Sequence, residues 1–290
     1  MDAVLRAIVE PGFFQSSAVQ LAAGIGAVVA LVTAAAGVFT VIRGQAFAGE
    51  ALGDIGAAGG SSAYLAGVSA LWGFLGISVA AAAVMELIGI QRARGRDLAT
   101  GVVLGFGFGL AALLLYLGTT ASSTTGATVT ILFGSVFALS SSELPLVLAF
   151  GAVTITALAI LYRPLLLSSV SPELAAARGI PVRLVGFLYL LATAVAVALS
   201  AMTIGAILST ALLVGPAATA LRLTRRPAQA ILVAGVVGVA VTWLGLLLSY
   251  DSYYWPPQHR GWPASFMIVT LVLLAYLAAG VFGRARARVA

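Results

Sequence analysis

The sequence predicts an all-α fold, a bundle of helices that crosses a membrane about eight or nine times. Three observations carry that prediction. The 290 residues are 61% hydrophobic, with a mean hydropathy of +1.12. Only 8% are charged, against about 25% in a soluble chain of ordinary composition. The charge gathers between apolar runs, and a run of about 18 apolar residues is long enough to cross a bilayer as a helix. No soluble domain fits between the runs, so residues 1–290 read as one transmembrane domain.

The elements follow in order. "MDAVLRAIVEPGFF" lacks the basic, apolar and cleavage-site order of a signal peptide. Residues 1–16 read as a short interfacial segment, with Pro11 and Gly12 breaking it from the first span. Spans are expected at about 17–42, 46–68, 69–91, 100–118, 145–162, 184–201, 203–221, 228–250 and 264–283. "VTILFGSVFAL" (129–139) is too short to cross and reads as a re-entrant or broken helix, a form tolerated only when buried in protein. Whether 203–221 is continuous or also broken stays open. "SSSE" (140–143) is a capping pattern ahead of the 145–162 span. Asp97 can cap the span that begins near Thr100, and Glu86 can snorkel toward Arg92.

Orientation comes from arginine. Every basic residue is Arg, and the clusters are Arg92, Arg94 and Arg96; Arg163, Arg178 and Arg183; Arg222, Arg225 and Arg226; and Arg284, Arg286 and Arg288. Positive charge marks cytoplasmic loops, and even numbers of spans separate these clusters, so all can lie inside. Arg43 joins them if the second and third spans form a hairpin. The outer side then holds "GTTASSTTGAT" (118–128) and "YDSYYWPPQHRGWPA" (250–264), the latter with Tyr250, Tyr253, Tyr254, Trp255 and Trp262 for an interfacial aromatic belt.

Several functions are excluded. The chain has no Cys, so disulfides and thiolate metal sites are absent. The net charge of +6 sits in short loops and is no nucleic-acid footprint. "GVVLGFGFGL" (101–110) carries Gly105, Gly107 and Gly109 inside an apolar run that follows no strand, so its glycines read as close helix contacts rather than a nucleotide fingerprint. No Walker-type phosphate loop is present.

Two stretches stand apart. In "SSVSPELAAARGIPVR" (168–183), Ser171 can cap a helix, Pro172 suits its first position and Glu173 favours its positive end. Gly179 can stop it and Pro181 prevents a restart. This is a short cytoplasmic helix, either a plain connector or a docking element for a partner. In "FAGEALGDIGAAGG" (47–60), Glu50 and Asp54 lie four residues apart, on one face and about 6 Å apart along the axis. Counted from Arg43, they sit roughly 10–16 Å into the membrane. Ionisable groups at such depth face an aqueous pathway or a partner. Either they contact a passing cation, or Glu50 pairs with Arg43 and Asp54 caps a broken helix before Gly59 and Gly60. Gly49, Gly53, Gly56 and Gly59 allow another helix to approach.

The chain resembles the membrane subunits of zinc/manganese/iron ABC importers. "SPELAAARGIPVR" is similar to that family's Asp-Pro-Glu-Leu-Ala segment followed by Gly-hydrophobic-Pro. "GVFTVIRGQAFAGEALGDIGAAG" (37–59), "RDLATGVVLGFGFGLA" (96–111), "ILFGSVFALSSSEL" (131–144) and "TIGAILSTALLVGPAATALRLTRR" (203–226, with Gly205, Pro216 and Ala217) match in order and spacing. The resemblance implies a type II importer fold in a bacterial plasma membrane. It implies a homodimer of this subunit around a central path, two cytoplasmic ATPase subunits that bind the ATP, and an extracytoplasmic binding protein that delivers a divalent metal ion. It implies no cofactor and no ATPase site of the chain's own. Ser171, Pro172, Glu173, Leu174, Arg178 and Gly179 become the ATPase-coupling residues, and Glu50 and Asp54 the metal path. Where the family has Asp then His, this chain has Glu50 then Asp54, and its sole His, His259, falls in the predicted outer loop as a solvated residue. An all-oxygen pair suits manganese or another harder cation, whereas imidazole suits zinc. The competing function is a proton-coupled secondary transporter with Glu50 and Asp54 as relay. The docking segment favours the importer, as does the lack of a repeated carboxylate motif in the second half. A non-transporting scaffold is disfavoured by carboxylates inside the membrane.

Overall fold

The computed structural model describes residues 13–88, 96–122, 126–134, 136–254 and 261–289. Among them run eleven α-helices: α1 (Ser17–Ile42), α2 (Ala46–Leu65), α3 (Ala70–Ile88), α4 (Arg96–Ser122), α5 (Gly126–Phe133), α6 (Leu144–Val170), α7 (Pro172–Ala177), α8 (Val182–Ile204), α9 (Ala206–Leu223), α10 (Pro227–Asp251) and α11 (Ala264–Val289). Short 3-10 turns occupy Phe13–Gln15, Val136–Ala138 and Ser252–Tyr254. No strand occurs among the described residues.

Eight of these helices are long and apolar enough to cross a membrane, namely α1, α3, α4, α6 and α8 to α11. The chain is thus an all-α, multi-pass membrane bundle. The ninth expected span, 46–68, forms α2, a helix of 20 residues that Glu50, Asp54 and its glycines make less apolar than the rest. Burial within the protein keeps it helical, because tertiary packing overrides the poor helix propensity of glycine.

α1 and α8 form the centre and are mostly buried, whereas α4, α6 and α11 leave most of their surface for lipid. α1 packs against α6, α8, α9 and α10. α2 lies between α3 and α4 and leans on α8 and α9. α11 closes the far side against α9 and α10. Phe39, Leu52, Leu71, Tyr189, Leu199 and Leu213 are among the largest side chains buried at this junction.

Three helix ends use the same device. After α1, Gly44 takes φ 61°, and its N–H reaches Val41 O at 3.1 Å while that of Gln45 reaches Thr40 O at 2.9 Å. This Schellman pattern satisfies the last carbonyls and reverses the chain within residues 43–45. Gly67 ends α2 and Gly179 ends α7 in the same way.

Several boundaries differ from the sequence reading. α6 continues past Arg163 and through Pro164 to Val170. Proline there removes one hydrogen bond, but buried Leu165 and Ser168 beyond it hold the helix together. The 168–183 loop therefore begins inside the last turn of α6. α4 and α5 extend into the predicted outer loop 118–128. Before α6 it is Glu143, not a serine, that holds the N-cap position, and its Oε2 accepts the Ser140 N–H at 3.1 Å.

The short segment at 129–139 is broken as expected: α5 ends at Phe133, Gly134 takes φ 73°, and a 3-10 turn follows. The open question at 203–221 is answered by one continuous span: α9 runs unbroken from Ala206 through Pro216 to Leu223, and the break falls at its start, where Gly205 separates α8 from α9 at φ 92° and ψ 155°. Only glycine holds that backbone without strain. The two breaks touch, and a Cβ on Gly134 would lie 2.5 Å from Gly205 N, Ile204 C and Thr203 O. Of the 101–110 glycines, Gly107 alone meets a neighbour, Ile55 of α2, whereas Gly101, Gly105 and Gly109 face open space. The expectation of close contacts holds for Gly107 only. Residues 1–12, Arg92, Arg94 and His259 lie outside the described residues.

Candidate functional site

α2 is placed by its glycines. A Cβ on Gly49 would lie 2.8 Å from Leu213 Cδ2, and one on Gly53 would lie 2.9 Å from Ser209 Oγ, so α9 presses directly on this face. Higher up, Phe74 packs on Gly60, and Gly59 meets the backbone of Gly73. Ser78 Oγ of α3 donates to Leu52 O at 3.1 Å. Backbone-to-backbone approach through small residues is how membrane helices pack when no hydrophobic effect drives them together.

On that fixed helix, Glu50 is exposed and Asp54, one turn deeper, is only 9% exposed. Neither carboxylate accepts a hydrogen bond or pairs with a cation among the described residues. α2 continues unbroken through Gly59 and Gly60, so Asp54 caps nothing. Arg43 does not pair with Glu50 either. It donates from Nη1 to Ser168 Oγ and Ser169 Oγ, both at 3.2 Å, and lies over the Tyr189 ring at 5.4 Å. Both structural alternatives for the two acids therefore fail. What remains is a pair of carboxylates about 6 Å apart along a helix, one open and one sheltered. No group of three or more acidic or histidine side chains gathers among the described residues.

The second site residues lie on α7. Ser171 is extended, with φ −148° and ψ 99°, and its Oγ accepts the Leu174 N–H at 3.2 Å. Pro172 and Glu173 occupy the first turn, and Gly179 ends the helix at φ 77°. Each feature is as the sequence predicts. Ala175 is fully buried and anchors the helix against α6 and α8, while Pro172, Glu173, Leu174, Arg178 and Gly179 are exposed. Such a helix is held firmly from below and presents its outer face.

The sequence reading missed one group. Tyr189 is 1% exposed, and its hydroxyl lies 2.6 Å from Thr40 Oγ1. With Arg43, Ser168 and Ser169 it forms a polar knot under α7. Its members lie far apart in sequence, and only the arginine stood out as a charge. Gln45 Oε1, at the start of α2, is buried without a hydrogen-bond partner among the described residues.

Comparison with known proteins agrees with this fold. The profile of the ABC 3 transport family matches residues 15–283. The chain belongs to the ABC 3 transport family. It is 31% identical over 247 residues to the manganese transport system membrane protein MntC of Listeria innocua, covering 85% of each chain. Over 123 residues it is 34% identical to the high-affinity zinc uptake system membrane protein ZnuB of Haemophilus influenzae, covering 42% of this chain and 47% of that protein. Its fold superposes on a structure of PsaBC from Streptococcus pneumoniae in complex with Fab, with a TM-score of 0.78, 25% identity and 95% of each chain covered. Membership agrees with the eight apolar helices, and the chain is a membrane transport subunit rather than a scaffold.

Proposed function

We propose that this chain is the permease of an ATP-driven importer of a divalent metal ion, with manganese the first candidate. Two copies enclose the path, two ATPase subunits dock from the cytoplasm, and an extracytoplasmic binding protein delivers the ion. The observation that carries the reading is the pair Glu50 and Asp54, on one face of a helix inside the bundle with no protein partner among the described residues. Family membership and the manganese systems among the relatives support it. An all-oxygen pair also suits a harder cation better than zinc.

In this reading the ion is cargo. Asp54, one turn farther from the cytoplasmic end at Arg43, meets it first and replaces part of its lost hydration, and Glu50 receives it one turn nearer the cytoplasm. Two carboxylates per subunit make a weak, open-ended site, which suits a protein that must release what it binds. The exposed face of α7, with Glu173, Leu174 and Arg178, seats in a groove of the ATPase subunit and receives its movement.

The test is uptake by the complex reconstituted with its ATPase and binding protein, offered manganese, iron or zinc. The double variant Glu50→Gln with Asp54→Ala should assemble normally and lose most uptake. Intact uptake in that variant removes the carboxylates from the path. Uptake that ignores ATP and collapses with the proton gradient makes the chain a proton-coupled carrier instead.

A further inference from the structure

The knot under α7 connects the two sites. Ser168 and Ser169 end α6 about one turn before the Ser171 cap. Both hydroxyls donate to Leu165 O, at 3.0 and 2.6 Å, which turns their lone pairs toward Arg43. Tyr189 lies on α8, the helix that leaves α7 on its other side. Its hydroxyl is held at Thr40 Oγ1, and Thr40 in turn donates to Ala36 O at 3.0 Å. Its ring packs edge-on against Phe39, with centroids 6.4 Å apart. One guanidinium thus grips both ends of the α7 loop, by hydrogen bonds on the α6 side and by its position over the ring on the α8 side.

Arg43 itself sits in the turn that starts α2. That turn has no slack, because the Gly44 and Gln45 N–H groups close it onto α1. A displacement of α6 and α8 at this end is therefore delivered to the first residue of α2, and through a stiff helix to Glu50 and Asp54. α1 and α2 pack little against each other beyond the junction, so α2 can answer the turn without dragging α1 along its length.

We propose that Arg43 is the positioning residue that transmits movement of α7 to the carboxylate helix, with Ser168, Ser169 and Tyr189 as its grips. The inference rests on the importer reading and adds the route between its two sites. The competing role is static: a cation at the carbonyl ends of α1 and α6 favours their dipoles wherever it is fixed. Arg43→Lys separates the two roles, because lysine keeps the charge but loses the planar fork and the stacking.

The experiment uses the full complex in vesicles and reads manganese(II) ions taken up per ATP hydrolysed, beside thermal stability and co-purification of the ATPase. Two variants are compared with the parent: Arg43→Lys, and Ser168→Ala with Ser169→Ala. Both should assemble, keep the parental thermal midpoint and hydrolyse ATP, while ions per ATP fall by roughly fivefold or more, the lower end of usual coupling between sites. A parental ratio in either variant overturns the proposal. So does a loss of assembly or stability with a parental ratio in the complex that survives, which makes the knot a static brace. A parent that moves none of manganese, iron and zinc under ATP overturns the importer reading itself and is distinguished by that control.

Discussion

Replacing Gly59 with Ala tests whether the seating of α2 governs transport. A Cβ there falls on the Gly73 carbonyl oxygen and lies 2.7 Å from Ile77 Cβ and 2.8 Å from the Gly73 carbonyl carbon. Carbon atoms rest at about 3.5–4.0 Å, so α2 and α3 must part by roughly 1 Å. Overpacking of that kind costs about 1–3 kcal/mol. Alanine returns about 0.5–1 kcal/mol through its better helix propensity. The net loss is then about 0–2.5 kcal/mol, read in the thermal midpoint of the purified subunit. The displacement also carries Asp54, on the same helix, out of place. A shift of about 1 Å at a reacting group costs up to a hundredfold in rate, so manganese uptake should fall by about tenfold or more. Gly109→Ala is the control, because its Cβ meets nothing within 4 Å. It should keep full uptake and equal or exceed parental stability. If Gly59→Ala matches Gly109→Ala in both assays, close packing does not set the position of α2.

Three further outcomes are expected. Ala176→Pro removes a backbone donor from a six-residue helix and costs about 3 kcal/mol, enough to melt α7; ATP hydrolysis should lose its link to uptake, and retained coupling speaks against docking through α7. Gln45→Met removes a buried acceptor that has no donor, a group whose burial costs about 1–3 kcal/mol. The thermal midpoint should hold or rise, and a clear drop shows that Oε1 has a partner in the working protein. Asp54→His places an imidazole one turn above Glu50 and should move selectivity in competition uptake from manganese toward zinc; unchanged selectivity removes Asp54 from the choice of metal.

What was legible in the sequence divides along one physical line. Helix α7 was readable almost atom by atom, because Ser171, Pro172, Glu173 and Gly179 act on their own neighbours in the chain. The spans were readable because a bilayer imposes length and hydropathy on each helix separately. Glu50 and Asp54 were readable as a pair because helical spacing is local, though their lack of a partner among the described residues was not. The knot was hidden, since Arg43 finds Ser168 at a separation of 125 residues and Thr40 finds Tyr189 at 149. The run of α6 beyond Pro164 was hidden for a related reason. A proline is a local stop signal, and only the buried contacts of Leu165 and Ser168 overrule it. Likewise, nothing in "GVVLGFGFGL" says which glycine meets a partner, because Gly107 is distinguished only by the presence of Ile55.

The contact of Gly134 with Gly205 has a consequence for time. Where a seal is made by a side chain, a rotamer flip within picoseconds to nanoseconds can unmake it. Here main chain meets main chain, and neither residue has a side chain to swing. Parting α5 from the α8–α9 junction requires whole segments to shift, and such motions take microseconds to milliseconds. This end of the molecule is therefore slow by construction. Any separation of these two segments belongs to the same slow class as the collective movements of whole helices.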